Sequence, residues 1–220
     1  MKIIYLIAGI ALFIKILIIV NPELDLSQTS IVEIVVNDTG VPNAVSGIIF
    51  RNRLYDTIFE VVVFTIAILG VQYLLANEKV STIVYQFTDE PSIVLARLAS
   101  TITALVSIEL AIRGHLTPGG GFAAGVAAGT AIGLIVITSS IDWMYDLYNH
   151  YQAGKWEKII IIIFILLAGI TLAGFELPYG NLGSLLSGGI IPLLNILVAL
   201  KVALGSWLIL LLFIRYRGLL

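Results

Sequence analysis

Long apolar runs alternate with short polar connections along this chain, and the lengths of the runs set its architecture. A helix that crosses the hydrocarbon of a bilayer needs about 20 mostly apolar residues. Six stretches approach that length: Ile3–Val20, Leu54–Ala76, Ser92–Arg113, Gly120–Ser139, Glu157–Phe175 and Gly189–Ile214. They predict an all-α integral membrane protein, a polytopic bundle of about six transmembrane helices. The long polar connection, Asn21 to Arg53, carries Pro22, Pro42 and the turn-forming Asn37-Asp38-Thr39-Gly40, while Ala44 to Phe50 is apolar enough to lie along the interface. With a second break at Asn77–Pro91, the pattern divides the chain into a two-helix unit, residues 1–80, and a four-helix unit, residues 81–220.

One polar interruption differs from the others. Gly114-His115-Leu116-Thr117-Pro118-Gly119-Gly120-Gly121-Phe122 puts a bend rich in exposed backbone between two apolar runs. Pro118 removes a donor, and three glycines permit positive φ. The segment suits either a tight external turn or a broken segment lining a cavity. Gly121, Gly125, Gly129 and Gly133 follow at intervals of four, so on a helix they share one face and admit another helix to backbone contact. The bend lacks the lysine of a phosphate-binding loop, which argues against nucleotide binding. Ser187-Gly188-Gly189-Ile190-Ile191-Pro192 repeats the theme before the last run, with Pro192 suited to a first helical turn.

Composition strengthens the membrane reading. Hydrophobic residues make up 59% of the 220 positions and charged ones 12%, against a charged share of roughly 25% in soluble domains. The absence of cysteine excludes thiolate metal sites, iron–sulfur clusters and disulfides, so electron transfer would belong to another chain. A formal net charge of −2 without a basic tract argues against nucleic acid as a partner. Met1-Lys2 and the apolar run behind it lack a small-residue cleavage site after Val20, which predicts a retained first helix, with a signal anchor as the alternative. Basic residues accumulate on the cytoplasmic side of membranes. Placing Lys2, Lys79, Lys155, Lys158, Arg215 and Arg217 there, and Arg51, Arg53, Arg113 and His115 outside, favours two cytoplasmic termini in a multi-pass protein of the cell membrane. The aromatic group Trp143, Tyr145, Tyr148, Tyr151 and Trp156 would sit at headgroup level.

Ionisable groups within a bilayer are costly and face protein or water, so each is a functional candidate. Lys201 is the deepest, with Asn195 about two turns before it, and its charge would depend on its surroundings. A structural ion pair is the competing reading. Glu60 lies one turn beyond Asp56 on the same face and is followed by Val61-Val62-Val63-Phe64, with no partner nearby in sequence. It is the preferred proton or sodium site, whereas Asp56 suits a cap at the helix start. Glu109 and Arg113 are four apart, a spacing that invites a pair within one helix. His115 follows at the mouth of the bend, where an ordinary imidazole titrates near neutral pH. His150 has no constellation around it.

Two segments in order, Gly114–Phe122 with its glycines and Ser187–Asn195 with Leu200-Lys201-Val202, resemble the MnhB (MrpB) subunit of multisubunit cation/proton antiporters. The resemblance covers about the last 140 residues. The front part, Thr39-Gly40-Val41-Pro42-Asn43-Ala44-Val45 leading to Tyr55-Asp56-Thr57-Ile58-Phe59-Glu60, is similar to the C-terminal region of the large antiporter subunit MrpA. That region is a small separate subunit in archaeal membrane-bound hydrogenases and their sulfur-reducing relatives. Leu54-Tyr55 stand where the family often has Arg-Gly, and Phe59 where it has glycine.

The resemblance implies a subunit of a sodium/proton exchange module, with other Mrp-type membrane subunits as partners. Hydrogenase or sulfur reductase subunits would join them where such an arm drives the module. It implies no activity as an enzyme on its own, no cofactor on this chain, and Na+ and H+ as transported ions. Glu60 maps onto the family's intramembrane glutamate and Lys201 onto the lysine of its last helix. A scaffold subunit whose glycine ridge docks other subunits is the competing expectation.

Overall fold

The structure is a computed structural model, and it describes residues 30–81, 84 and 86–218. The chain divides into two compact units, residues 1–34 and 35–220. Of the first, only Ser30–Ile34 are described, and the span expected over Ile3–Val20 lies outside the described residues. All described regular structure is helical: α1 (Ile31–Thr39), α2 (Ala44–Gly47) running into a π-helical turn (Ile48–Asn52), α3 (Leu54–Leu75), α4 (Glu90–Arg113), α5 (Gly121–Val136), α6 (Ile141–His150), α7 (Ala153–Leu172) and α8 (Ile191–Arg217).

The other five expected runs each form a helix, with ends shifted by a few residues. Three helices, α3, α4 and α8, are long and apolar enough to cross a membrane. α5 has 16 residues. α7 starts four residues earlier than its apolar run, because Lys155, Glu157 and Lys158 are carried inside its first turns. Ala44–Phe50 belongs to the bundle more closely than an interfacial segment would, since Ser46, Gly47 and Phe50 are buried. Asn43 starts that segment by accepting a bond from the Ser46 amide with its side chain.

α8 is the central helix. Half of its most apolar stretch is buried inside the chain, against 11% for α4. At one end α8 packs through Leu194 and Val198 with Val41, Phe50, Leu54, Val61 and Phe164. At the other end Leu208, Leu211 and Ile214 pack with Ile68, Val136, Met144 and Tyr148. Phe164 and Ala168 of α7 therefore lie near the start of α8, whereas Ala153 lies near its end, so α7 and α8 run antiparallel.

The glycine ridge of α5 docks on this same helix. A Cβ on Gly125 would lie 2.4 Å from the Val202 Cβ and 2.8 Å from the Ala199 carbonyl. On Gly121 it would lie 2.5 Å from the Asn195 carbonyl, and on Gly129 2.7 Å from the Ser206 Cβ. At Gly133 the fit relaxes, with a Leu210 methyl 3.3 Å away. The separations at Gly121, Gly125 and Gly129 lie well below van der Waals contact, so at these positions only glycine allows α5 to come this close. The ridge thus packs on α8 within the chain.

α4 covers α5 on the opposite side, tied by Ser100 and Ser107, whose hydroxyls donate to the Ala131 and Ala124 carbonyls at 2.8 Å each. Its outward face, including Leu98, Ile102 and Leu105, is exposed. α3 approaches α8 at Gly205, where an added Cβ would lie 2.5 Å from Ile68 and 2.8 Å from Phe64.

Candidate functional site

Depth along a helix places the first candidate. Lys201 is the eleventh residue of α8, about 15 Å from its start. Its side chain is 1% exposed and pairs with Glu157 of α7, itself 6% exposed. Antiparallel packing makes the pair possible, because one turn into α7 stands level with the middle of α8. The Lys201 ammonium also lies 5.1 Å from the centroid of the Phe64 ring, a cation–π contact on the side facing α3. Desolvating two charges is offset only by close pairing, and removing one partner of such a pair costs about 3–5 kcal/mol.

Glu157 is the residue that sequence reasoning missed. It stood at the end of an apolar run between Lys155 and Lys158, which is how an interfacial cluster looks in one dimension. The available signal was helical spacing: Glu157 shares a face with Ile160, Phe164, Ala168 and Thr171, all buried, whereas Lys155 and Lys158 do not.

Glu60 is placed differently. It lies six residues into α3, about 9 Å from the helix start, and is exposed on the surface of the chain. No hydrogen bond or ion pair ties it to another described residue. Its side chain borders a recess of about 90 Å³ lined by Ser46, Phe50 and the Gly119-Gly120-Gly121 backbone. The Ser46 hydroxyl is buried without a hydrogen-bond partner. Phe59 beside it, where the related pattern has glycine, is 65% exposed.

Asp56 accepts a 2.5 Å bond from Arg53 at the start of α3. Glu109 and Arg113 form the expected pair within α4, 2.9 Å apart and exposed. Neither pair reaches Glu60 or Lys201 among the described contacts.

The bend after α4 is held by two asparagines. Asn195, completely buried, donates from its amide to the Leu110 and Ala111 carbonyls at 3.3 and 2.6 Å. Both belong to the last turn of α4, whose carbonyls lack helical partners. Asn43 donates to the Gly114 and Thr117 carbonyls at 2.8 and 2.9 Å, and its backbone N–H bonds the His115 carbonyl. Gly120, at φ +124°, releases the chain into α5.

His115 is enclosed rather than standing at a mouth, with no exposed surface and neither ring nitrogen in a formed hydrogen bond. Burial lowers its pKa from 6.5, and the nearby backbone of Ser184 and Leu185 opposes that only in part. The segment after α7 is latched at this end of the bundle. Glu176 pairs with Arg51 of the π-helical turn and accepts from the Tyr179 hydroxyl at 2.6 Å. Those two bonds, Tyr179 first, hold the Glu176 carboxyl below its ordinary range.

Residues 91–208 match the family model of the domain related to the MnhB subunit of Na+/H+ antiporters, over more than half of the chain. The chain belongs to this MnhB family. The matched region holds the bend, the glycine ridge, Glu157 and Lys201, whereas Asp56 and Glu60 precede it. A subunit in the structure of the membrane-bound sulfane sulfur reductase, an archaeal respiratory membrane complex, superposes with a TM-score of 0.64 and 25% identity. The match covers 97% of this chain and 98% of that one. A chain of the Mrp complex from Dietzia sp. DQ12-45-1b has the same fold, with a TM-score of 0.61 and 17% identity over 96% of this MnhB-family chain, which spans 25% of that one. Protein MJ1307 of Methanocaldococcus jannaschii is 29% identical, covering 75% of this chain and 74% of its own length.

Proposed function

We propose that this chain is a non-enzymatic membrane subunit of an Mrp-type module, in which Glu60 provides a carboxylate for the passage of Na+ or H+. The observation that carries the reading is a carboxylate unpaired among the described residues, on the surface of an apolar helix and bordering a small recess. A carboxylate facing hydrocarbon is costly, up to about 2.5–3.5 kcal/mol at the centre of a membrane helix. That cost is avoided if a neighbouring subunit or a hydrated path faces Glu60, and it makes the surface of α3 an inter-subunit surface. The partners follow from the family and from the respiratory complex above: other antiporter-type membrane subunits and, within such a complex, those of a reductase arm. Residues 1–80 are then the MrpA-like unit joined to the MnhB part.

Replacing Glu60 by Gln keeps size and hydrogen-bonding capacity while removing the charge. In inverted vesicles carrying the complete complex, E60Q is expected to abolish Na+/H+ exchange while the complex still assembles on a native gel. Normal exchange would overturn the assignment. A scaffold reading without an ion site draws support from one observation, the exposed apolar face of α4. It predicts normal exchange in E60Q together with failed assembly when Leu98 or Leu105 is replaced by Lys.

A further inference from the structure

A wide cleft of the described bundle opens beside the buried pair rather than beside Glu60. About 820 Å³ lies between α3, α6, α7 and α8, with Thr65 and Gln72 on one wall, Tyr148 and Asn149 on another, and Glu157 within. Lys155 and Lys158 also line it, and both side chains are exposed. At about 30 Å³ each, somewhat more than about 25 waters would fill such a space. Lys201 lies behind Glu157 and does not line the cavity. The Phe64 ring lies against the Lys201 ammonium, and Leu197 and Val198, one turn back along α8, are buried.

We propose that this cleft is a hydrated half-channel that carries protons from the basic end of the bundle to the Glu157–Lys201 pair. Three features support it independently of Glu60. An acyl chain in the cleft would leave Gln72, Asn149 and the Glu157 carboxylate against hydrocarbon, a cost that water does not incur. The Tyr148 hydroxyl, buried and without a protein partner, needs a water to satisfy it. Burial and, after it, the charge of Glu157 push that phenol up to about 12, so it stays a donor.

The chemistry is one proton exchanged with cleft water. Hydronium transfers its proton to the Glu157 carboxylate and leaves as water, and the net charge of the pair rises from zero to one, carried by Lys201. Deprotonation by cleft water restores the pair. The ionisable groups around Glu157 are Lys201 from α8, Tyr145 and Tyr148 from α6, and Lys155 and Lys158 from its own helix, while the α3 residues of the lining, Thr65, Ile68, Leu69 and Gln72, are all neutral.

The absence of cysteine allows a direct test in membranes holding the assembled complex. Thr65→Cys and Gln72→Cys are expected to react with a membrane-impermeant thiol reagent applied to the face that bears Lys155 and Lys158, and Leu98→Cys on the outer face of α4 to stay unlabelled. Protection of Thr65→Cys and Gln72→Cys from that face would overturn the channel, whatever E60Q does. The second arm separates a proton site from a structural pair. Glu157→Gln is expected to abolish proton-coupled exchange, and Glu157→Gln with Lys201→Met, which removes both charges and leaves no lone buried ion, is expected to remain inactive while assembled. Recovery of exchange in the double variant would overturn the role of the pair.

Discussion

At the scale of single residues, burial separates groups that look alike in sequence. Glu60 and Glu157 are both carboxylates in or beside apolar runs, yet one faces out of the chain and the other is buried beside a lysine. Lys201 was legible as a candidate because a charge in the middle of a 27-residue helix is costly. Its partnership with Glu157 was not, because helical spacing puts Glu157 on a buried face but cannot pair it with a residue 44 positions away. His115 makes the same point from a loop. A bend between apolar runs suggests exposure, but Asn43 and the 184–185 backbone enclose it. With its folded pKa below the ordinary 6.5, the folded chain takes up a proton there less readily than the unfolded one. The stability due to neutral His115 is therefore complete above pH about 6.5 and is lost as pH falls through the folded value. Thermal unfolding of the solubilised complex between about pH 7.5 and pH 5.5 should show a drop in Tm that is smaller in His115→Gln. Equal drops in the two proteins would mean that His115 does not titrate against burial.

At the scale of helices, the apolar runs located five of the described elements because membrane thickness imposes a length on each. The ridge at Gly121, Gly125, Gly129 and Gly133 announced a close helix contact, but spacing alone names no partner. α8 takes the role because Asn195, Val198, Ala199, Val202 and Ser206 present the complementary face. The fit is graded along the ridge, and the effect of adding a methyl group should be graded with it. Gly125→Ala places its methyl 2.4 Å from Val202 and 2.8 Å from a backbone carbonyl that cannot rotate away. It is expected to cost about 1–3 kcal/mol, as overpacking does. At Gly133 the neighbour is the end of the flexible Leu210 side chain, 3.3 Å away, and Gly133→Ala should be tolerated. Gly70, with nothing within 4 Å, is the reference, and an alanine there should be neutral or stabilising by up to about 1 kcal/mol. Unfolding monitored by size-exclusion chromatography after a heat step would rank the three. Equal tolerance at Gly125 and Gly133 would contradict the contact.

At the scale of the molecule, charge is distributed by end. Lys155 and Lys158 open α7 and Arg215 and Arg217 close α8, which the antiparallel packing brings to one level. Lys79 joins them through its neighbours: Glu78 pairs with Arg217 at 3.2 Å, and the Ser81 amide donates to the Arg215 carbonyl. Arg215 also lies 4.0 Å from the centroid of the Tyr145 ring, within the aromatic group of α6. At the opposite end Arg51, Arg53 and Arg113 each pair with a carboxylate. The rule that sorts membrane proteins counts Lys and Arg and gives little weight to acidic groups, so the end holding five basic residues is predicted to be cytoplasmic. A tag after residue 220 and a cysteine replacing Lys155 should then be reached by impermeant reagents only from the cytoplasmic face, and a cysteine replacing the exposed Asn181 only from outside. Labelling in the reverse sense would invert the protein, and the cleft leading to Glu157 would then draw its protons from the other side of the membrane.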